Sequence, residues 1–153
     1  MPLLALAIGC SKEDIVPAAE SATRFTLRVC PEETQAVTRA ADERAVKDMN
    51  VFLFDPQGIR PSQHFYVQGG VLERSIPAGR YDVYAVANLH EDMGPMSRKT
   101  LSAYEFRVPR SYTSLPMSGY AECTVGKGMP EATVTVRRNV AKIVCNTSFY
   151  GVD

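Results

Sequence analysis

Tryptophan is absent from the 153 residues, and histidine occurs only twice. That leaves little imidazole for catalytic or metal-binding work. There is no net charge, because 17 Lys and Arg oppose 17 Asp and Glu. The balance excludes a general electrostatic grip on nucleic acid or on an anionic membrane surface. No run approaches the roughly 20 apolar residues of a membrane-spanning helix. No two of the four cysteines stand in C-x-x-C spacing, so structural zinc and thioredoxin-like chemistry lack support. No Gly-x-Ser-x-Gly elbow or Walker loop occurs. Gly126-Lys127-Gly128 lacks phosphate-loop spacing and reads as a hairpin turn. His64 opens a strand pattern; His90 stands beside Glu91 and Asp92 without a second ligand cluster and reads as part of a solvated loop. No nucleophile–base or acid–base pair is legible. The expectation is therefore a non-enzyme with no catalytic residue, no metal and no cofactor.

What is present is short apolar runs. Hydrophobic residues make up 45% and charged residues 22%, a composition that folds rather than staying disordered. From residue 23 the pattern has period two: Phe25, Leu27 and Val29 point one way, and Arg24, Thr26 and Arg28 the other. Residues 31–47 are a polar connection, with one helical turn expected at 42–47 and Asp42 as its cap. Residues 49–54 form a dense apolar run, ended by the turn signal Asp55-Pro56-Gln57-Gly58. Residues 63–68 and 71–76 flank Gly69-Gly70 as a hairpin. After Pro77-Ala78-Gly79, residues 80–89 have both faces apolar, as an interior strand should. Residues 88–101 read as a loop, 102–108 as a weaker strand, and 120–125, 132–138 and 140–149 as further strands. Short strands with turns every 8–12 residues predict an all-β sandwich of about seven to nine antiparallel strands.

The first ten residues are apolar and end in Cys10. Two readings stand: a chance apolar start, or the end of a lipoprotein signal. Ala7-Ile8-Gly9-Cys10 resembles the bacterial lipobox, in which the cysteine thiol takes a diacylglycerol. The following Ser11-Lys12-Glu13-Asp14 is similar to the tag that sends some lipoproteins to the outer cell face. Residues 11–21 then read as a flexible tether. With lipid on Cys10, the cysteines left are Cys30, Cys123 and Cys145, an odd number that argues against a disulfide framework. Cys145 reads as a small core residue; whether it faces Cys123 across two strands is left open.

Several segments recur together in one order. They are Cys10 with its acidic tag, the alternating strand at 23–30, and Val37-Thr38-Arg39-Ala40-Ala41 in a polar connection. Met49-Asn50-Val51-Phe52-Leu53-Phe54-Asp55 and Pro77-Ala78-Gly79-Arg80-Tyr81-Asp82-Val83-Tyr84 follow, then Leu115-Pro116-Met117-Ser118-Gly119 and Val136-Arg137-Arg138-Asn139-Val140. In this order the chain resembles the N-terminal domain of the fimbrillin family, lipoprotein-derived fimbrial subunits of anaerobic Gram-negative bacteria. The resemblance implies a transthyretin-like sandwich over residues 22–153, behind a signal remnant (1–10) and the tether (11–21). It implies lipidation of Cys10, an anchor in the outer membrane, and display on the cell surface. It also implies a cut by a trypsin-like, Arg-specific protease between Arg39 and Ala40. That cut would release the first strand, whose Phe25, Leu27 and Val29 a segment of another fimbrial subunit would replace. A host or bacterial surface receptor is a further implied partner. The family's second β domain does not follow residue 153, so a longer protein is expected. The alternatives are a lipid-anchored accessory subunit that keeps its first strand, or a surface lipoprotein that binds carbohydrate through its seven tyrosines. Most of these tyrosines read more simply as strand residues with buried rings and hydroxyls at the rim.

Overall fold

Alternating side chains become seven strands in a computed structural model that describes residues 22–32, 45–58, 60, 62–105, 114–128 and 130–139. Strand β1 (Ala22–Pro31) buries Phe25, Leu27 and Val29 and exposes Arg24, Arg28 and Cys30. Strand β2 (Asp48–Phe54) is buried at every position, as its unbroken apolar run requires. The Gly69-Gly70 turn joins β3 (Gln63–Gln68) to β4 (Val71–Pro77), and β5 (Gly79–Ala87) follows. Strands β6 (Met117–Val125) and β7 (Glu131–Arg138) complete the described set.

Three expectations need correction. Residues 98–102 form a short helix, α1 (Arg98–Ser102), where a loop running into a strand was expected. Ser97 caps it by accepting the Thr100 amide at 3.1 Å, and Leu101 packs on a small apolar cluster, so local capping outweighs the weak alternation. No strand forms at residues 102–105; residues 106–108 of that expected strand lie outside the described residues, as does the strand expected at 140–149. Residues 45–47 are not helical, and 42–44 lie outside the described residues.

The strand order is β3-β2-β5-β6-β7-β1-β4. Strands β6 and β7 pair at Met117↔Arg138 and Ser118↔Arg137, and this corner folds the sheet on itself. One half is β3-β2-β5-β6 and the other is β7-β1-β4. The neighbours are antiparallel except β1 and β7, which run parallel from Thr26↔Glu131 to Pro31↔Val136. The halves enclose one core, in which Phe25, Leu27, Leu72, Ile76 and Val134 meet Val51, Leu53, Tyr81 and Val83. The result is an all-β, sandwich-like fold. A smaller cluster covers the outer face of β2 and β5, where Phe52, Phe54 and Val86 meet Leu89, Met93, Met96 and Leu101.

At the corner, Gly119 is required by contact. A Cβ there would stand 2.2 Å from the Thr135 carbonyl oxygen, so only glycine lets β7 cross so closely.

Candidate functional site: the seat of the first strand

Strand β1 lies between two neighbours. It pairs with β4 from Ala22↔Pro77 to Arg28↔Val71 and with β7 over Thr26–Pro31. The two ladders overlap only at residues 26–28. Further bonds tie the strand at its flanks: the Thr26 amide donates to the Pro130 carbonyl (2.8 Å), Val29 to Gly70 (2.8 Å) and Glu32 to Val136 (2.9 Å). Phe25 and Leu27 are 0% exposed and Val29 4%. Each large apolar side chain so buried stabilises the fold by about 1.5–3 kcal/mol. On the outer face Arg24 pairs with Glu73 at 3.1 Å, an exposed contact worth little. Cys30 is an exposed free thiol, so no sulfur bridge through it holds β1 to the body.

Of the other residues singled out in the sequence, Cys10, Arg39, Ala40 and Cys145 lie outside the described residues. Cys123 is a free, buried thiol whose pKa is pushed up to about 11, first by burial and then by Asp82.

The structure also brings together residues that no spacing linked. His90 Nδ1 donates to Asp48 Oδ2 at 2.6 Å, and Ser114 Oγ lies 2.8 Å from His90 Nε2. The His90 amide donates to Asp48 Oδ1 at 3.0 Å. His90 lies on a solvated loop with its side chain 48% exposed, as its position implies, and its ring is in addition held by Asp48 and Ser114. The connectivity matches that of a nucleophile, a base and an orienting acid. Ser114 is only 2% exposed, and the trio clasps three chain segments together. Asn88 completes it: its side chain accepts from the Lys47 amide (2.8 Å) and donates to the carbonyls of Ala45 (3.1 Å) and Leu115 (3.2 Å). Asn88 and His90 hold φ values of +62° and +61°, a conformation that asparagine and histidine accept more readily than branched residues do. The clasp joins the entry to β2, the exit of β5 and the entry to β6. Its members stand 42 and 24 positions apart, which is why no motif announced them. Among the described residues, no group of three or more His, Cys, Asp and Glu is placed to hold a metal ion.

The other histidine is a packing residue. His64 lies against Phe52, with ring centroids 4.6 Å apart, and its Nε2 donates to Asn50 Oδ1 at 3.0 Å. Burial lowers its pKa below the usual 6.5, and Asp92, 3.7 Å away, only partly offsets this. A lowered folded pKa means that the unfolded chain takes up the proton more readily. The stability gained from neutral His64 is then complete above 6.5 and is lost as pH falls below it. The thermal midpoint is expected to fall between about pH 7 and about pH 5, and to fall less in His64→Gln, as followed by circular dichroism. Equal slopes in the two proteins would contradict this.

On the outer face of β5 and β6, Tyr84 and Tyr120 stand with ring centroids 4.9 Å apart, and Tyr84 meets Phe54 edge-on at 5.8 Å. The Tyr120 hydroxyl lies 3.1 Å from Asp82 Oδ1 and 3.3 Å from Glu122 Oε1. Its pKa is pushed up to about 12 by desolvation and by the bond to Asp82. Tyr81, by contrast, is fully buried and donates to the Pro77 carbonyl at 2.8 Å, as expected of a strand tyrosine with its hydroxyl at the rim. Tyr120 departs from that expectation, being 49% exposed.

A fimbrial assembly protein from Parabacteroides distasonis superposes with a TM-score of 0.54 at 18% identity, over 76% of this chain and 53% of its own. The chain shares that protein's fold. A candidate cell adhesion protein from Bacteroides eggerthii follows with a TM-score of 0.51 at 17% identity, over 76% of this chain and 40% of its own. This chain thus spans about half, or less, of the proteins it superposes on. No family model matches the sequence, and no curated protein matches it.

Proposed function

We propose that the chain is a structural subunit of a cell-surface fimbria, in which β1 is a placeholder that an extended segment of a neighbouring subunit replaces. One observation carries this reading. Strand β1 is an inner strand that supplies three core side chains and is held by non-covalent contacts on both edges. The shared fold with a fimbrial assembly protein and a candidate cell adhesion protein supports a role at the cell surface.

In this reading Cys10 carries the lipid that holds the precursor in the outer membrane. A trypsin-like protease then hydrolyses the Arg39–Ala40 bond. Lipid and β1 are separated from the body, but the strand stays seated until it is displaced. Loss of β1 exposes the backbone edges of β4 and β7 together with an apolar slot, a template for another extended chain. Backbone bonds to both edges provide affinity, and alternating side chains set the register. Residues 22–25 are held by β4 alone and 30–31 by β7 alone, so an incoming strand can invade from either end before it breaks the doubly held middle. No step in this scheme asks the fimbrial subunit itself to catalyse a reaction.

Intact-mass analysis of polymerised surface material tests the proposal. The subunit is expected to begin at Ala40 and to carry no lipid, and Arg39→Ala is expected to abolish polymer. Polymerised subunits that retain lipidated Cys10 would overturn this reading in favour of a lipid-anchored accessory subunit.

A further inference from the structure

The face of the β5–β6 half that points away from β1 carries a cavity of about 360 Å³. Tyr84, Tyr120 and Ser118 line it from the sheet, and Leu101, Ser102 and Tyr104 from α1 and the residues after it. Its size and its mix of apolar walls and a few polar groups suit a small ligand. We propose that it binds a neutral sugar ring.

Charge is the first argument. The two carboxylates beside the cavity are each matched by a guanidinium, Asp82 by Arg98 and Glu122 by Arg80. The charges cancel locally, so neither a cation nor an anion is favoured. The hydroxyls provide the second. Ser102 Oγ donates to the Lys99 carbonyl at 2.9 Å, and Ser118 Oγ to Asn139 Oδ1 at 3.0 Å. The Tyr120 hydroxyl donates towards Asp82 and Glu122. A hydroxyl has one proton to give, and these three give theirs inside the protein. Each oxygen keeps lone pairs free to accept, which suits a ligand rich in O–H donors. The rings are the third argument. Tyr84 is braced by Phe54, and the rings of Tyr84 and Tyr120 are tilted at 47° to form a fixed aromatic angle. Their negative faces attract the C–H groups on the apolar face of a pyranose. A neutral molecule with many O–H donors on its edge and C–H groups on its face is a sugar.

The site lies on the opposite face from the seat of β1, so it stands or falls independently of strand exchange. The test is titration of the full chain with methyl β-galactopyranoside and methyl β-glucopyranoside, followed through the tyrosine ring resonances. Saturable shifts are expected at Tyr84, Tyr104 and Tyr120 with at least one of the two. Tyr120→Ala should weaken binding about tenfold or more, equivalent to about 1.4 kcal/mol. Tyr120→Phe keeps the ring and should lose less. The fully O-methylated sugars, which have no donors, should not bind. The proposal is overturned by the absence of saturable shifts with both sugars at tens of millimolar, by equal binding of the O-methylated forms, or by unchanged affinity in Tyr120→Ala.

Discussion

A chain that begins at Ala40 is expected to lose its cooperative thermal transition. Without β1 the core lacks Phe25, Leu27 and Val29, which are 0, 0 and 4% exposed in the intact fold. Their burial contributes about 4.5–9 kcal/mol together. Domains of this kind have a net stability of about 5–15 kcal/mol, so most of the margin goes with the strand. Two ladder edges, on β4 and β7, are also left unpaired. Supplying a peptide of Ala22–Pro31 in trans should restore the transition, with a midpoint that rises with peptide concentration as mass action requires. A peptide of the same span with Asp in place of Phe25, Leu27 and Val29, which would put charge into the apolar slot, should not rescue. Circular dichroism in the near ultraviolet, where the tyrosines report packing, reads both outcomes. A chain starting at Ala40 that melts like the full chain would remove the physical basis for strand replacement. Rescue by the substituted peptide would show that the slot does not read these three side chains.

The second large effect is expected at the corner. In Gly119→Ala the new methyl carbon meets the Thr135 carbonyl oxygen at 2.2 Å and its carbonyl carbon at 2.9 Å. Both are backbone atoms, so no side chain can swing away. Either β7 withdraws from β6, opening the core at Val134 and Val136, or β6 buckles. Overpacking ordinarily costs about 1–3 kcal/mol, and a clash with backbone on an inner strand belongs at the upper end or above. Denaturant unfolding should show a loss of about 3 kcal/mol or more. Gly126→Ala serves as the control, because a Cβ there meets nothing within 4 Å. Equal stability of the two variants would contradict the close crossing.

Much of the architecture is legible in the chain, for a local reason. A side-chain period of two needs no knowledge of the neighbour, so the first strand and the hairpin at Gly69-Gly70 appear with boundaries within about a residue of those observed. Turn chemistry is equally local: Asp55 accepts from the Gln57 amide at 2.8 Å, as the Asp-Pro-Gln-Gly signal implies. Helix α1 was missed because it is five residues long and depends on the Ser97 cap and on packing of Leu101, too little for periodicity to register.

By itself, then, the sequence determined where most of the strands run and that Phe25, Leu27 and Val29 belong inside. Tertiary structure alone decided what surrounds them. That β1 lies between antiparallel β4 and parallel β7, that Gly119 must admit β7, that Asp48, His90 and Ser114 meet, and that Tyr84 and Tyr120 share a cleft all depend on pairings between distant segments. One strand's alternation is compatible with almost any partner of the same period. The choice among partners is made by the shared core and by closure of the intervening loops, which no local pattern encodes.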